Sequence, residues 1–379
     1  MRNRKKLCLM ILAAMGAVPS FAQPRRGGST EPGANVRSPE VLPDHRVTFR
    51  IYAPKAAEVS VSGDWVTQGR GTAGKLEKDD QGVWSVTIGP LVPDFYNYTF
   101  TVDGVRTVDP KNGLIKPGNN STSSMVEVPG DEEAFESTQP VPHGEVRIAW
   151  YHSSVLDTMR SIRVYTPPEY DRGSARYPVF YLLHGSGDDD AGWSTVGRAG
   201  FILDNLLSAK KIKPMVVVMP NGSMPRGSGT EAQDLFAREL LENVMPYVEK
   251  HYRVLTDRDH RALAGLSMGG GQTLRVAPAH PELFAYVGVF SSGVRQEMTG
   301  DFEKRSAAFF ENPEKTNKMM KVFWIGVGEK DQGANPGAKN TAQILKAHGV
   351  KYEFHESEGG HTWINWRHYL NDYAQLLFR

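Results

Sequence analysis

The segment Arg261–Ala277 constrains the fold more than any other part of the chain. A short apolar run, Ala262–Ala264, is typical of the end of a buried strand, and residues 272–277 have helical character. Between them stands Gly265-Leu-Ser-Met-Gly269, a pattern in which a strand turns sharply into a helix. The two glycines allow this tight turn because they have no Cβ to clash. The segment therefore predicts a nucleophilic serine, Ser267, whose hydroxyl is lifted above the sheet edge beside a helix N-terminus.

This pattern alone does not establish a catalytic serine, because the chain has 38 glycines among 379 residues. Acyl transfer by serine also needs a base that accepts the hydroxyl proton and an acid that orients the base. On a fold of this kind, both residues follow the serine on loops after late strands. His361, in Gly359-Gly-His-Thr-Trp363, is the predicted base, and Asp331, just past the strand 322–327, is the predicted acid. The alternative acids are Glu329, Glu356 and Glu358.

The oxyanion of an acyl-transfer intermediate needs preorganised hydrogen-bond donors. The backbone N–H of Met268, directly after the serine, is one candidate. The second is expected on the loop after an early strand, where His184-Gly-Ser-Gly187 follows the apolar run 181–183. The backbone N–H of Ser186 is therefore predicted as the second donor.

Residues 43–128 have a different sequence pattern, in which short runs of alternating apolar and polar residues are separated by Pro, Gly and Asp. Val47, Phe49 and Ile51 share one face of the first run, and Asp103-Gly104 is a hairpin signal. This pattern predicts an all-β sandwich. The predicted strands are 45–53, 58–62, 83–88, 96–102 and 105–108. Four aromatic residues of this region either stack on sugar rings or pack the sandwich core. They are Trp65, Trp84, Tyr96 and Tyr98.

Residues 129–144, rich in Pro and acidic residues, are predicted to be a linker and the domain boundary. Beyond it, residues 145–379 alternate between apolar strands and helical stretches, which predicts a mostly parallel sheet covered on both faces. The order fits an α/β-hydrolase domain. The predicted strands are 145–151, 161–166, 177–183, 215–219, 285–290, 322–327 and 350–355, and the predicted helices are 200–207, 235–252 and 364–378.

The N-terminus resembles a secretory signal peptide over residues 1–22, with basic residues, an apolar stretch and small residues before Gln23. A retained membrane anchor is the alternative. Residues 23–42 are predicted to form a flexible leader. The single cysteine, Cys8, lies in the signal segment, so the processed chain would contain no disulfide and no thiol nucleophile. We therefore expect an exported protein, periplasmic or secreted, that is free of the membrane after signal cleavage.

Charge and histidine spacing exclude several other classes of function. A net charge of +1, with no basic tract after the first few residues, argues against nucleic acid as a partner. No carboxylate completes a ligand-like spacing around His355, His361 and His368, so no metal is expected. The chemistry assigned to Ser267 requires no cofactor.

Several motifs of the second domain, in order, resemble carbohydrate esterase family one, an esterase-D-like group of α/β-hydrolases that includes feruloyl, acetylxylan and enterochelin esterases. The resemblance implies Ser267 as nucleophile, His361 as base and Asp331 as acid. The front domain resembles the early-set, immunoglobulin-like modules found ahead of glycan-active enzymes, some of which bind carbohydrate. The motifs of the second domain are residues 182–190 with Trp193, 218–222, 265–270, 280–284 with 290–293, and 359–363 with Trp366-Arg367.

We therefore expect a serine esterase that releases ferulate or a related hydroxycinnamate from arabinoxylan. An acetylxylan esterase and an enterochelin-type trilactone esterase are the alternatives that keep this chemistry. A non-catalytic glycan-binding protein is the alternative from another class. The sugar position of the ester and the oligomeric state stay open. Candidate substrate contacts are Trp193, Trp363, Trp366 and Met224. A pocket lined by Arg and Lys would favour the trilactone, and Met224, Arg226 and Arg238 are the positions that bear on it.

Overall fold

The computed structural model describes residues 33–67, 73–119, 122–130, 134–225 and 229–379. The predicted signal peptide, Cys8 and Arg226 lie outside these residues, as do positions 23–32 of the predicted leader. None of the helices within the described ranges is long and apolar enough to cross a membrane.

The first domain is a sandwich of two antiparallel sheets with strand orders β1-β2-β6-β5 and β4-β3-β7-β10-β9, and β8 pairs with β7. The five strands predicted from alternation are confirmed, and Asp103-Gly104 forms the β7–β8 hairpin turn with positive φ at both residues. A short helix, α1 (Asp64–Thr67), follows β3. The strands are β1 (Glu40–Val41), β2 (Val47–Tyr52), β3 (Val59–Gly63), β4 (Gly74–Lys75), β5 (Glu77–Lys78), β6 (Val83–Ile88), β7 (Asp94–Val102), β8 (Val105–Thr107), β9 (Ile115–Lys116) and β10 (Ser123–Val128).

The aromatic residues of the sandwich pack its core. Trp65, Trp84, Tyr96 and Tyr98 are all buried, and Trp65 stacks on Phe49 at 5.3 Å between ring centroids. Their polar atoms bond inside the domain: the Trp84 indole N–H donates to the Ala53 carbonyl at 2.9 Å. Of the two roles left open for these residues, the structure therefore supports core packing over a sugar-stacking platform.

The second domain is built on one eight-stranded sheet in the order β11-β12-β14-β13-β15-β16-β17-β18. The first two strands form an antiparallel pair, β12 is also antiparallel to β14, and the other pairs are parallel. Central strands such as β13 and β15 are buried throughout because helices cover both faces. The α/β fold prediction is confirmed. The strands are β11 (Glu145–Ser153), β12 (Thr158–Thr166), β13 (Val179–Leu183), β14 (Val216–Pro220), β15 (Arg261–Leu266), β16 (Tyr286–Phe290), β17 (Val322–Gly328) and β18 (Glu353–Ser357).

The helices pack on both faces of this sheet, with α2 and α10 in one apolar cluster and α3, α4, α5 and α9 around another. The segment 235–252, predicted as one helix, is instead α3, a π-helical segment (Glu239–Val244) and α4. Pro246 has no N–H and its ring crowds the preceding turn, which the wider π turn relieves. The helices are α2 (Ala199–Ser208), α3 (Gly229–Arg238), α4 (Met245–His251), α5 (Met268–Val276), α6 (Thr299–Arg305), α7 (Ala307–Phe310), α8 (Pro313–Met319), α9 (Asn335–Ala347) and α10 (Trp363–Ala374).

The described part of the predicted linker, residues 134–144, is bonded to the second domain along its length. Asn205 on α2 donates from its side-chain amide to the carbonyls of Phe135 and Ser137 at 2.9 and 2.8 Å. His143 contacts the buried Asp204 carboxylate at 2.9 Å. These contacts hold the segment against α2 and position the sandwich beside the C-terminal edge of the esterase sheet.

Candidate active site

Ser267 stands alone between β15, which ends at Leu266, and α5, which begins at Met268. Its backbone adopts φ 51° and ψ −113°, a conformation that is unfavourable for a residue with a Cβ. The Ser267 N–H donates to the Phe290 carbonyl at 2.8 Å, and the Gly271 N–H donates to the Ser267 carbonyl at 3.0 Å. The surrounding hydrogen bonds thus hold the strained turn that presents the hydroxyl.

The two glycines of the motif are required by close packing against β13. A Cβ on Gly265 would lie 2.4 Å from the backbone of Gly269, and a Cβ on Gly269 would lie 2.6 Å from the His184 carbonyl oxygen. Neither position has a positive φ, so steric room explains the glycines better than backbone freedom does. The turn can therefore approach the loop that follows β13 without a side chain between them.

The structure brings Ser267, His361 and Asp331 into one hydrogen-bonded chain. His361 Nε2 lies 2.9 Å from Ser267 Oγ, and His361 Nδ1 lies 2.8 Å from Asp331 Oδ2. With the proton on Nδ1, the imidazole donates to the carboxylate and its Nε2 accepts the serine hydroxyl. The His361 side chain is 38 % exposed, so its reactive nitrogen is accessible beside the serine. This arrangement can remove the hydroxyl proton as Ser267 attacks a carbonyl.

Asp331 is the acid that reaches the histidine, and the three alternative glutamates do not. Its carboxylate is buried, and Oδ1 accepts the Ala334 N–H at 3.0 Å, which leaves Oδ2 for His361. The alternatives have other partners. Glu329 is half-exposed beside Lys330, Glu356 pairs with Lys339 at 2.7 Å, and Glu358 is exposed. Burial and a fixed second oxygen make Asp331 a rigid orienting group.

Both predicted oxyanion donors flank the serine. The Met268 N–H stands at the N-terminus of α5, where the helix has unpaired donors and a positive dipole end. Ser186 follows β13 and lines a cleft that also contains His361. Within the described residues, neither N–H donates to a protein acceptor. Both groups are therefore available to a developing oxyanion.

His184 fixes the turn that carries Ser186, a role that the sequence analysis did not assign. The residue is buried; its Nδ1–H donates to the Gly185 carbonyl at 2.8 Å, and its Nε2 accepts the Gly222 N–H at 2.8 Å. The bond from Gly222 requires the neutral imidazole, because a protonated ring has no acceptor on Nε2. Burial accordingly lowers the pKa of His184. The sequence signal that could have indicated this role is the position of His184, directly after a buried strand and before a glycine.

This geometry predicts an acid-sensitive oxyanion turn. The folded-state pKa of His184 lies below the unfolded value of about 6.5, so the unfolded chain binds the extra proton first. The free energy of unfolding should therefore fall as pH drops below about 6.5, by at most about 1.4 kcal/mol per pH unit from this group. His184→Gln keeps a donor and an acceptor but does not titrate. Thermal unfolding from pH 8 to 5 should show a shallower pH dependence in the variant, and equal slopes would contradict the prediction.

A cavity of about 580 Å³, here called the acyl cavity, opens on one side of Ser267. Its walls include backbone, glycine and small side chains as well as the rim cations Arg295 and Lys330. Both cations have acidic neighbours: Arg295 lies 3.4 Å from Glu297 and Lys330 lies 3.9 Å from Glu329. The residues that define the acyl cavity are Ser267, Met268, Ser292, Gly293, Gly333 and His361.

The tryptophans predicted to contact substrate have different positions. Trp193 is 1 % exposed and donates its indole N–H to the Leu183 carbonyl at 2.9 Å, so it packs the core and does not offer a face to substrate. Trp363 and Trp366 are buried but border a cleft beside His361. The Trp366 ring meets the His361 ring edge-on at 5.0 Å between centroids, which restricts the imidazole.

Met224 and Arg238 lie outside the acyl cavity. Met224 is partly buried and packs against the esterase core. The exposed Arg238 makes two hydrogen bonds with Glu242, at 2.8 and 3.1 Å, on the same helical face. The position of Arg226 is not among the described residues. The described basic residues singled out from the sequence therefore do not line the cavity beside Ser267.

Two family models match the chain. The model described as "Putative esterase" matches residues 153–377, and carbohydrate-binding module 48 (isoamylase N-terminal domain) matches residues 33–117. These matches cover the domain with the Ser267 site and the β-sandwich respectively. The early-set, carbohydrate-binding-module-like front domain expected from the sequence is thus confirmed.

The chain is similar to the endo-1,4-beta-xylanase/feruloyl esterase of Xylanibacter ruminicola, with 34% identity over 353 residues, 90% of this chain and 46% of that protein. Esterase Rv1288 of Mycobacterium tuberculosis is 29% identical over 148 residues, 36% of this chain and 30% of that protein. The chain thus spans less than half the length of these relatives.

Two kinds of solved structure are similar to this chain. The ferulic acid esterase AmCE1/Fae1A of Anaeromyces mucronatus, of carbohydrate esterase family one, has a TM-score of 0.58 and 26% identity, covering 66% of this chain and 96% of that one. The enterobactin esterase FES of Shigella flexneri has a TM-score of 0.65 and 18% identity, covering 88% and 94% respectively, and shares the fold. With the esterase model matching more than half of its length, the chain belongs to the esterase family.

Proposed function

We propose that the protein is a serine esterase that hydrolyses hydroxycinnamoyl esters, such as ferulate esters, of arabinoxylan. The observation that carries the proposal is the hydrogen-bonded chain Ser267–His361–Asp331 at the mouth of the acyl cavity. The feruloyl esterases among its relatives support the choice of acyl group. We propose no activity beyond hydrolysis of this ester bond.

In the first half of the reaction, Ser267 Oγ attacks the ester carbonyl carbon and His361 Nε2 takes the hydroxyl proton. The oxyanion receives hydrogen bonds from the N–H groups of Ser186 and Met268. The carbonyl–alkoxy bond then breaks, and His361 returns the proton to the leaving sugar oxygen. In the second half, water gives a proton to His361 and attacks the acyl-enzyme, releasing the hydroxycinnamate and restoring Ser267.

The size of the acyl cavity favours a bulky acyl group over acetate. A volume of about 580 Å³ lies within the range of small-molecule sites, whereas an acetyl group would leave most of it unfilled. Small side chains along the wall leave room for a planar ring. This observation supports hydroxycinnamate over the acetylxylan alternative.

The rim cations Arg295 and Lys330 are the specific observation that favours the enterochelin-type trilactone as a second candidate. Catechol-rich substrates carry acidic groups that a cationic rim would attract. The acidic neighbours of both cations reduce that attraction, so a neutral hydroxycinnamate suits the rim better. The rates of hydrolysis of methyl ferulate, acetylated xylan and a catechol trilactone, measured under one set of conditions, rank the three candidate functions. A preference for either of the last two would contradict the proposal.

Filling the acyl cavity should separate large from small acyl groups. A Cβ on Gly333 would meet only Asp331 Oδ1, at 3.9 Å, so Gly333→Leu can place its side chain in the cavity without a clash at Cβ. We expect kcat/KM for methyl ferulate to fall about tenfold or more relative to p-nitrophenyl acetate, because lost shape complementarity affects only the larger acyl group.

Gly300→Leu is the matched control, because a Cβ on Gly300 on α6 meets nothing within 4 Å and the residue lies outside the cavity. This control should leave the ratio between the two esters unchanged. If Gly333→Leu lowered kcat/KM equally for both esters, the acyl group would bind outside the acyl cavity.

The basic and apolar N-terminal segment supports export to the periplasm or the medium after removal of residues 1–22. A glycan-binding protein without activity would not need the strained Ser267 backbone or the buried Asp331 beside His361. Covalent labelling by a fluorophosphonate distinguishes the two classes, because only an activated serine reacts rapidly.

A further inference from the structure

The second predicted oxyanion donor, Ser186, lies in a tight turn over residues 185–188, here called the oxyanion turn. The Asp188 N–H donates to the Gly185 carbonyl at 3.3 Å, which is longer than the usual distance of about 2.9–3.0 Å. Gly187 has φ 86°, the positive value that the third residue of a type II turn requires. The direction of the Ser186 N–H therefore depends on what holds Gly185 and Asp188 at the two ends of the turn.

The first end of the oxyanion turn is held from within the esterase domain. His184 bonds to the Gly185 carbonyl through Nδ1 and to the Gly222 N–H through Nε2, at 2.8 Å each. Gln272 on α5 donates its side-chain amide to the Gly222 carbonyl, also at 2.8 Å. Gly185 is thus tied to the loop after β14 and to the helix that begins beside Ser267.

The second end of the oxyanion turn is held by the sandwich. Lys116 on β9 pairs with the Asp188 carboxylate, and both side chains are buried. Asn119, three residues later, donates its side-chain amide to the Asp188 carbonyl at 2.9 Å and to the Ser223 hydroxyl at 2.8 Å. Asn119 therefore bridges the turn to the loop after β14, next to Gly222. Both the side chain and the backbone of Asp188 are fixed from the other domain.

The loop to which Asn119 bonds is itself anchored in the esterase domain. The Arg160 guanidinium donates to the carbonyls of Asn221 and Ser223, the second at 3.2 Å. Arg160 also lies 3.4 Å from the fully buried carboxylate of Glu239 on the π-helical segment. Because this loop is fixed, the bridge through Asn119 holds the oxyanion turn against a rigid neighbour.

Attachment of the two domains does not by itself account for the pair of Lys116 with Asp188. Another buried pair, Asp94 with Arg367 at 2.6 Å, also joins the domains and shares no residue with the oxyanion turn. Replacing a buried ion pair by apolar side chains of similar volume is often neutral for stability, so an apolar contact could attach the domains as well. An apolar contact cannot fix the direction of a hydrogen-bonded backbone, whereas charge-assisted and amide hydrogen bonds can.

We infer that Lys116 and Asn119 are positioning residues of the esterase reaction, which hold Asp188 so that the Ser186 N–H is aimed at the developing oxyanion. The sandwich thereby supports the chemistry of the esterase domain directly, in a role that requires no bound glycan. The inference rests on the proposed serine-esterase mechanism, and it is independent of the identity of the acyl group.

The first test uses p-nitrophenyl acetate, an ester without a sugar. We expect Lys116→Met to lower kcat about ten- to hundredfold and to change KM less than about threefold, because removing a whole oxyanion donor costs about 10²–10³ in kcat. Asn119→Ala should lower kcat several-fold in the same way. Lys111→Met is the matched control, since Lys111 is an exposed sandwich lysine that bonds to the Ala34 carbonyl at 3.3 Å, and it should retain the wild-type kcat. A wild-type kcat in Lys116→Met would overturn the inference.

A trifluoromethyl ketone distinguishes a misplaced oxyanion donor from a general loss of stability. This inhibitor forms a hemiketal oxyanion on Ser267, so its inhibition constant in Lys116→Met should rise by about the same factor as kcat/KM falls. A variant that is only less stable would contain less active enzyme, but the folded fraction would bind the inhibitor as tightly as the wild type does. An unchanged inhibition constant would therefore overturn the inference.

The third test separates the stability of the ion pair from its effect on the reaction. Combining Lys116→Met with Asp188→Leu removes both buried charges and should recover much of the melting temperature that Lys116→Met loses. The kcat for p-nitrophenyl acetate should stay about tenfold or more below the wild-type value, because the turn remains without its charged anchor. Recovery of kcat together with the melting temperature would show that the pair serves stability alone. Failure of the wild type to hydrolyse methyl ferulate would refute only the proposed acyl group, since none of these tests uses that ester.

Discussion

Replacing Ser267 with alanine is expected to lower kcat for p-nitrophenyl acetate and methyl ferulate by about four to six orders of magnitude. The variant retains the oxyanion donors and the substrate cavities, but it has no oxygen to form the acyl-enzyme. Its melting temperature should stay close to that of the wild type, because only one hydroxyl is lost. Single-turnover assays give the rate, and mass spectrometry after fluorophosphonate treatment shows whether the adduct forms.

Ser154→Ala is a suitable control, since Ser154 is an exposed serine whose hydroxyl bonds to Asn243 on the π-helical segment. It should retain activity and label fully. Substantial turnover by the Ser267 variant, or an adduct on another serine, would show that a different residue is the nucleophile.

Replacing Asp331 with asparagine should lower kcat about 10⁴-fold. The asparagine amide can keep the contact with His361 Nδ1 by donating an N–H to it. That contact holds the imidazole in the tautomer that carries its proton on Nε2. That tautomer cannot accept the Ser267 proton, and the imidazolium formed during attack loses its compensating charge. KM should change little, because Asp331 is buried behind the histidine. Steady-state kinetics across pH 6–9 measures both parameters.

Glu329→Gln provides the matched control on the same loop. Glu329 lies two residues before Asp331 and is half-exposed. Among the described residues, its one ion pair is with the neighbouring Lys330. Its loss should change kcat less than twofold, since exposed ion pairs contribute little. A comparable loss in both variants would mean that the charge of the loop, and not the bond from Asp331 to His361, supports catalysis.

The three residues of the hydrogen-bonded chain were predictable because each is tied to a local pattern. Ser267 stands between two glycines at a strand-to-helix junction, and His361 lies on a glycine-rich loop before a helix. Asp331 follows the end of β17 by three residues. Parallel strands place their C-terminal loops at one edge of the sheet, so these distant residues meet there. The same reasoning predicted the donors at Met268 and Ser186.

The boundaries of elements were harder to predict than their order. The alternating strands of the sandwich and the apolar strands of the esterase sheet formed as expected, because one-sided and two-sided burial leave distinct periodicities. The helix predicted over 235–252 is divided by a π-helical segment before Pro246. Strand β10, which completes the sandwich beside β7, was not predicted because its burial does not alternate: Ser124, Met125 and Val126 are all buried.

The sequence by itself determined the fold class, the two domains and the order along the chain of the three residues that the structure joins by hydrogen bonds, Ser267, Asp331 and His361. Only the tertiary structure decided which aromatic residues are buried in a core, because an aromatic side chain suits a buried core and a binding surface equally well. It buried Trp193 and the sandwich aromatics, and it set Trp366 against His361. It also placed the sandwich against the esterase domain through the ion pairs of Lys116 with Asp188 and of Asp94 with Arg367. Those contacts join residues from different domains, and no local periodicity encodes them.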